Sequence, residues 1–180
     1  MFVASAKIFS RGGASLPRVV RGDGAWITDE TGRRYLDAAS GAIVVGIGHG
    51  RTAVAQAAAE QASKIAYAHG SAFTADALES WAAEMGPLLP MENASLYPVS
   101  GGSEAAETAL KMVRAYWLAQ GEPDRTIVVS RWGSYHGNTL GALDLSGRRG
   151  LRKPYEPWLG RFEHVSAAYP YRSEIGRAHV

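Results

Sequence analysis

The chain has 180 residues, 46% of them hydrophobic and 20% charged, a composition typical of a globular domain that buries a sizeable core. The formal net charge of +2 argues against an extended nucleic-acid surface, and the absence of cysteine excludes disulfide scaffolds, thiolate metal sites and cysteine nucleophiles. The five histidines lack metal-ligand spacing, and neither a membrane-spanning run nor a secretory signal is present, so we expect a cytoplasmic protein without a metal.

Three short apolar runs follow a small, polar first segment of 15 residues, which we expect to be poorly ordered. The runs occupy 19–20, 25–27 and 34–36, and turn sequences that contain Gly24 and Gly32 separate them. Short apolar runs with a glycine in each turn are typical of hairpins. We therefore predict a small antiparallel sheet.

Helical periodicity appears in three later segments, at 52–66, 76–89 and 104–120. The third is the strongest, because its apolar residues form a broad stripe and Gly121 and Pro123 follow it. An apolar run at 95–99 precedes it, and a short continuously apolar strand is predicted at 126–130. Strand, helix and strand in this order predict a parallel sheet and an α/β fold.

Beyond Gly147 the pattern loosens into proline, arginine and aromatic residues, so an extended loop is predicted. The only basic cluster of the chain lies here and has no interleaved aromatic residues. We interpret it as a solvated surface rather than a nucleic-acid patch. Its members are Arg148, Arg149, Arg152 and Lys153.

A glycine turn links the run at 95–99 to the third helix, with the sequence Ser100-Gly101-Gly102-Ser103. Backbone N–H groups in such a turn point at an anion, and the helix dipole favours negative charge there. Phosphate is the usual anion at such a place. An ordinary strand-to-helix turn has the same spacing, so this segment alone leaves both interpretations open.

Three further motifs accompany this turn. They are Gly24-Ala-Trp-Ile-Thr-Asp-Glu-Thr-Gly-Arg-Arg-Tyr-Leu-Asp37, Gly46-Ile-Gly-His49 and Tyr135-His-Gly-Asn-Thr139. With Ser100-Gly-Gly-Ser-Glu-Ala-Ala-Glu107 they resemble, in order and spacing, the class III aminotransferases, which have fold type I and use pyridoxal 5'-phosphate. The resemblance runs from about residue 16 to residue 171. It implies a truncated chain with residues 1–50 in the arm and small domain and residues 51–174 in the first part of the cofactor-binding large domain.

The resemblance assigns cofactor contacts to four positions. Gly102 and Ser103 would hold the cofactor phosphate, and Tyr135 would stack on its pyridine ring. His136 would be a pocket neighbour without a catalytic role. The carboxylate of Glu104 would repel a phosphate, so we expect it to turn away toward another partner.

The same resemblance places Ala42 and Ile43 beside the substrate, although a buried turn is an equal alternative for each. The parent enzyme would be a homodimer that transfers an amino group from an amine or ω-amino acid to a keto acid. A glutamate-semialdehyde-type aminomutase shares these motifs. From other classes, a nucleotide-dependent enzyme lacks its glycine motifs here, and a non-catalytic truncated binding protein stays an alternative.

None of the lysines, at 7, 64, 111 and 153, matches the family's Schiff-base lysine, which lies in the second half of such proteins. The last six residues, Ile175-Gly-Arg-Ala-His-Val180, are what a common sequencing-adapter start encodes in this frame. We therefore expect a fragment whose reading frame ran into adapter DNA.

We predict that the 180-residue chain forms no reducible adduct with pyridoxal phosphate on a single lysine, because no lysine matches the reactive position. The measurement is the visible spectrum before and after borohydride, followed by mass mapping of the lysines. One stoichiometric, site-specific adduct would contradict it.

Overall fold

The computed structural model describes residues 16–171, which form two compact units divided after Ala94. The predictions for residues 1–15 and for the tail at 175–180 lie outside the described residues. Between residues 16 and 171, no helix is long and apolar enough to span a bilayer, and no three acidic or histidine side chains are grouped to hold a metal ion.

The predicted antiparallel sheet is confirmed in the first unit. Its strands are β1 (Val19–Asp23), β2 (Trp26–Asp29) and β3 (Arg34–Leu36), in the order β1-β2-β3. The turns between them need a left-handed backbone, which glycine adopts without strain: φ is +53° at Gly24 and +84° at Gly32. The two turn glycines therefore set where the strands reverse.

The turn between β2 and β3 is organised by Asp29, a buried residue that is only 3% exposed. Its carboxylate accepts hydrogen bonds from the Thr31 amide at 2.9 Å, the Thr31 hydroxyl at 2.6 Å, the Arg33 amide at 3.0 Å and the Tyr35 hydroxyl at 2.7 Å. These donors, the Thr31 hydroxyl foremost and the Tyr35 hydroxyl next, lower the pKa of Asp29 to about 2.

A left-handed turn, α1 (Ser40–Ile43), follows the sheet. Its four residues have φ between +48° and +70°, a conformation that is strained for alanine and for β-branched isoleucine. Asp37 connects this turn to a distant residue: Oδ1 accepts from the Gly41 amide at 3.0 Å, and Oδ2 lies 2.9 Å from Nε2 of His49. The Gly41 amide first, and His49 next, lower the pKa of Asp37.

The two predicted helices of this unit are confirmed with earlier ends. They are α2 (Thr52–Lys64) and α3 (Asp76–Met85), and a 3-10 helix, Gly86–Leu88, continues α3. Pro87 has no N–H group to bond the carbonyl one turn earlier, so the α-helical pattern stops before the predicted end at residue 89.

The second unit has a helix followed by a parallel strand pair, as expected for an α/β fold. Helix α4 (Gly102–Ala119) begins two residues before its predicted start. Strands β4 (Val129–Arg131) and β5 (Glu163–Val165) pair in parallel, with Ser130 opposite His164. The strand predicted at 126–130 is thus shorter and shifted, and in the described chain the run at 95–99 pairs with no strand. A strand requires a hydrogen-bonded neighbour, which an apolar run alone does not provide.

The prediction of an extended loop after Gly147 is wrong, whereas the predicted exposure of the basic cluster is confirmed for Arg148, Arg149 and Lys153. This stretch contains α6 (Arg149–Arg152), a 3-10 helix (Lys153–Trp158) and β5, and α5 (Leu140–Leu145) precedes it. Arg152, expected in solvent, is 9% exposed. Its Nη1 donates to the carbonyls of Leu143 and Ser146 at 3.0 Å each and also to that of Asp144, and its Nη2 lies 3.1 Å from Asp144 Oδ1.

Asp144 completes this buried ion pair and is 3% exposed. Its carboxylate accepts from the amides of Gly160 at 3.0 Å, Arg161 at 2.7 Å and Phe162 at 3.2 Å, just before β5. Burial raises the pKa of this carboxyl, but these amides and Arg152 outweigh burial and leave the pKa below its ordinary value. A buried charge needs such complete pairing, so the Asp144–Arg152 pair connects α5, α6 and the start of β5.

Replacing Asp29 with alanine should lower the melting temperature of the chain, because the four donors then lose their acceptor. A carboxyl whose pKa is lower in the folded than in the unfolded state stabilises the fold at pH values above its unfolded pKa. For Asp29 the unfolded pKa is 3.8, and its stabilising free energy is lost as the pH falls from there toward about 2. The difference between wild type and Asp29→Ala should therefore be constant near neutral pH and shrink across this acidic window.

The matched control is Asp23→Ala, because the Asp23 side chain is 76% exposed and forms an ion pair with the similarly exposed Arg21. Thermal denaturation at a series of pH values measures both variants. A pH-independent difference for Asp29→Ala, or equal melting temperatures for the two variants, would contradict the assignment.

Candidate functional site

The N-terminus of α4 presents backbone amides that have no acceptor inside the helix. Gly101 is the N-cap with extended backbone, and Gly102 and Ser103 are the first two helical residues. The first amides of any α-helix lack an intrahelical partner, and an 18-residue helix adds its dipole. A Cβ atom on Gly101 or Gly102 would meet nothing within 4 Å, so the space beside these two Cα atoms is open. This end of α4 suits an anion.

Glu104 turns back along the chain, as its repulsion of an anion requires. Its Oε2 accepts from the Ser100 amide at 2.9 Å and from the Ser100 hydroxyl at 2.5 Å. The two Ser100 donors, the hydroxyl first, lower the pKa of Glu104, which favours the ionised form. The partner is therefore local, four residues away, and the amides of Gly102 and Ser103 are left to other acceptors.

Ser103 links this helix end to the segment that contains the Tyr-His-Gly motif, residues 135–142. Its Oγ accepts from the Asn138 amide at 2.8 Å. As an acceptor in this bond, the hydroxyl keeps its own proton to donate elsewhere. Gly137 lies directly against Ser103: φ is +143°, and a Cβ at this position would lie 2.5 Å from Ser103 Oγ. Only glycine fits this contact.

Glu107, one turn further along α4, contacts the same segment. Its Oε1 accepts from the Thr139 hydroxyl at 2.6 Å and from the Ala142 amide at 3.2 Å. The Thr139 hydroxyl is the main cause of a lowered pKa for Glu107, which the amides of Ala142 and Gly141 lower further. Sequence reasoning included Glu107 in the motif but gave it no role. Its spacing of four residues from Ser103 is the signal that places both side chains on one helix face.

Tyr135 is half exposed, with 52% of the residue accessible. The guanidinium carbon of Arg148 lies 5.3 Å from the ring centroid, within the range of a cation–π contact. One ring face therefore lies toward a positive charge.

His136 is held at both its backbone and its ring. The backbone amide donates to Ser146 Oγ at 2.8 Å, and Nε2 lies 3.3 Å from Ser130 Oγ. Ser146 is fully buried and in turn donates to the Ala142 carbonyl at 2.7 Å. The ring borders an apolar groove of about 640 Å³ along α4, whose other lining residues include Ala106, Leu110, Val113 and Ile127.

Ala42 and Ile43, the two expected substrate neighbours, lie in the unit formed by residues 16–94. Both belong to the left-handed turn α1, and Ile43 is 92% exposed. The second unit contains the other four expected site residues, and the bond from Asn138 to Ser103 links the segments that carry them.

A family model described as aminotransferase class-III matches residues 8–178. Among curated proteins, an uncharacterised aminotransferase of Bacillus subtilis, YodT, is 38% identical over 159 residues, which cover 88% of this chain and 36% of that protein. The β-alanine–pyruvate aminotransferase of Pseudomonas aeruginosa is 35% identical over 140 residues, covering 77% of this chain and 31% of that protein. The chain thus spans about a third of the length of these relatives.

Solved structures give the same result. An amine transaminase from an uncultivated Pseudomonas species, in its PLP-bound form, superposes with a TM-score of 0.85 at 33% identity and covers 95% of this chain and 40% of that one. An omega-transaminase of Thermomicrobium roseum gives a TM-score of 0.78 at 35% identity, with 90% and 36% covered. The chain belongs to the class III aminotransferase family.

Proposed function

We propose that the polypeptide carrying this sequence is a pyridoxal-phosphate-dependent aminotransferase, which moves an amino group from an amine or ω-amino acid to a keto acid. The observation that carries this proposal is the start of α4, where the first amides have no acceptor inside the helix and Ser103 is bonded to the Tyr-His-Gly segment. The names of the Pseudomonas and Thermomicrobium relatives support the substrate class.

In this proposal Gly102 and Ser103 bind the cofactor phosphate through their backbone amides, and the Ser103 hydroxyl donates a further hydrogen bond. Three features of the structure fit a phosphate: the open space beside the Gly102 Cα, the free proton of the Ser103 hydroxyl, and the carboxylate of Glu104 engaged by Ser100. An anion held by helix-terminal amides needs no lysine or arginine.

Tyr135 is proposed to stack on the pyridine ring with the face opposite Arg148, while His136 lies beside the ring as a neighbour fixed by Ser130 and Ser146. When bound, pyridoxal phosphate supplies an electron-accepting ring that stabilises negative charge on the substrate carbon. The role of Tyr135 is to hold that ring in plane and to keep water from one face.

Ala42 and Ile43 are proposed to line the substrate side, where small aliphatic residues leave room for an amine chain. None of the four lysines matches the family's Schiff-base position, so the reactive lysine is proposed to lie in the part of the relatives' length that this chain does not span. We further propose a cytoplasmic homodimer. Large apolar side chains exposed in the described residues, among them Ile127 at 80% and Trp158 at 71%, support association with further protein surface.

Replacing Ser103 with proline should weaken pyridoxamine 5'-phosphate binding by about 1.5–3 kcal/mol, because one amide donor to a charged acceptor is lost. Position 103 is in the first helical turn, where proline is tolerated, so α4 should persist. Ser103→Ala keeps the amide but loses the hydroxyl, including its bond from the Asn138 amide, for about 0.5–1.5 kcal/mol, so the difference between the proline and alanine variants reports the amide. Calorimetric titration measures both, with helix content by circular dichroism as the control. Equal affinity of wild type and the proline variant would count decisively against the phosphate assignment.

Tyr135→Phe should retain most of the affinity for pyridoxamine 5'-phosphate, because the stacking ring remains. Tyr135→Ala should lose about 1 kcal/mol or more of stacking and shielding. Fluorescence titration of the two variants distinguishes a stacking ring from an ordinary aromatic residue. Indistinguishable affinities for phenylalanine and alanine would remove Tyr135 from the site.

A further inference from the structure

One face of α4 attaches the 135–142 segment at two points. Ser103 and Glu107 are four residues apart, so their side chains lie on the same side of the helix. Ser103 Oγ accepts from the Asn138 amide at 2.8 Å, and Glu107 Oε1 accepts from the Thr139 hydroxyl at 2.6 Å. The attachment therefore begins at the phosphate-binding end of α4 and continues one turn along it.

Glu107 also caps the short helix α5 from outside. Thr139 is the N-cap of α5, but its hydroxyl makes no capping bond and donates to Glu107 instead. The Glu107 carboxylate receives the amide of Ala142 at 3.2 Å, and the nearby Gly141 amide helps to lower its pKa. A carboxylate of another helix thus accepts from one of the first amides of α5, which a cap residue normally does.

Helix α4 and the 135–142 segment are so closely packed that no side chain fits between them at two glycines. A Cβ on Gly137 would lie 2.5 Å from Ser103 Oγ and 2.9 Å from the Ala142 Cβ, and a Cβ on Gly141 would lie 2.7 Å from Glu107 Oε2. Two glycines therefore stand opposite the two bonding side chains. The position of Tyr135, two residues before Gly137, follows from where this contact holds the chain.

We propose that Glu107 is a positioning residue that sets the separation between the phosphate-binding amides of α4 and the ring of Tyr135. The inference rests on the proposed function, in which one ligand contacts both. Glu107 touches neither the phosphate nor the ring. Its effect is on a ligand that spans the two sites, because linking two contacts in one molecule strengthens binding only when their spacing matches.

The test compares pyridoxamine 5'-phosphate, which spans both sites, with inorganic phosphate, which occupies one. Glu107→Gln keeps the side-chain length and an acceptor oxygen but removes the charge. Glu107→Asp keeps the charge, but its side chain is one methylene shorter, so the carboxylate lies farther from Thr139 and Ala142. Both are conservative changes, so the fold should persist in each. The exposed Lys111→Ala, on the next turn of α4, is the matched control.

For Glu107→Asp we expect the affinity of the 180-residue chain for pyridoxamine 5'-phosphate to fall by about tenfold, while the affinity for inorganic phosphate stays within about twofold. Glu107→Gln should stay within about threefold of wild type for both ligands, and Lys111→Ala should change neither. Amide hydrogen exchange at Asn138 and Ala142 should accelerate in the aspartate variant only.

Four results would overturn the proposal, two in the variants and two in the wild type. A Gln variant weaker than the Asp variant would show that charge, not length, is what matters at this position. An equal loss for both ligands in the Asp variant would show damage to the phosphate site itself. Wild type that binds phosphate but gains nothing from the attached ring would contradict the positioning role alone, whereas wild type that binds neither ligand would contradict the proposed function as well.

Discussion

The attachment of the 135–142 segment to α4 is the contact on which the candidate site depends. Backbone amides at 138 and 142 need acceptors, and two side chains of one helix face supply them. Because the second attachment lies only one turn from the start of α4, the helix end and the aromatic segment form a single arrangement. A hydroxyl, a carboxylate and two glycines are enough to build it, with no metal ligand or lysine involved.

Behind this contact the second unit is stabilised by polar groups rather than by a large apolar core. The residues below a tenth exposed include Ser130, Asp144, Ser146 and Arg152, against only Ala142 and Leu143 among the apolar ones. Each polar group has partners, as burial requires: Asp144 accepts from Arg152 and three amides, and Ser146 bonds both the His136 amide and the Ala142 carbonyl. This network fixes α5 independently of α4, so two sets of hydrogen bonds hold the 135–142 segment.

Local signals were enough to predict the antiparallel sheet, the three long helices and the glycine turn at Ser100, because periodicity and turn residues act over a few positions. The parts that failed depend on partners distant in sequence. Arg152 looked solvated in a basic cluster, yet its guanidinium bonds carbonyls at 143, 144 and 146. The contacts of Glu107 are with residues more than 30 positions away. The local sequence around Ser40 does not predict the four residues with left-handed backbone found there.

The central claim is that the amides of Gly102 and Ser103 donate hydrogen bonds to a phosphate, while the Glu104 carboxylate accepts hydrogen bonds from Ser100. Backbone ¹⁵N–¹H NMR of the chain during titration with pyridoxamine 5'-phosphate tests it most directly. We expect large, saturable shifts for the Gly102 and Ser103 amides, a smaller shift for Asn138, and little change at Ser100, whose amide already donates to Glu104. Saturable binding that leaves the Gly102 and Ser103 amides unmoved would contradict phosphate binding at this helix end.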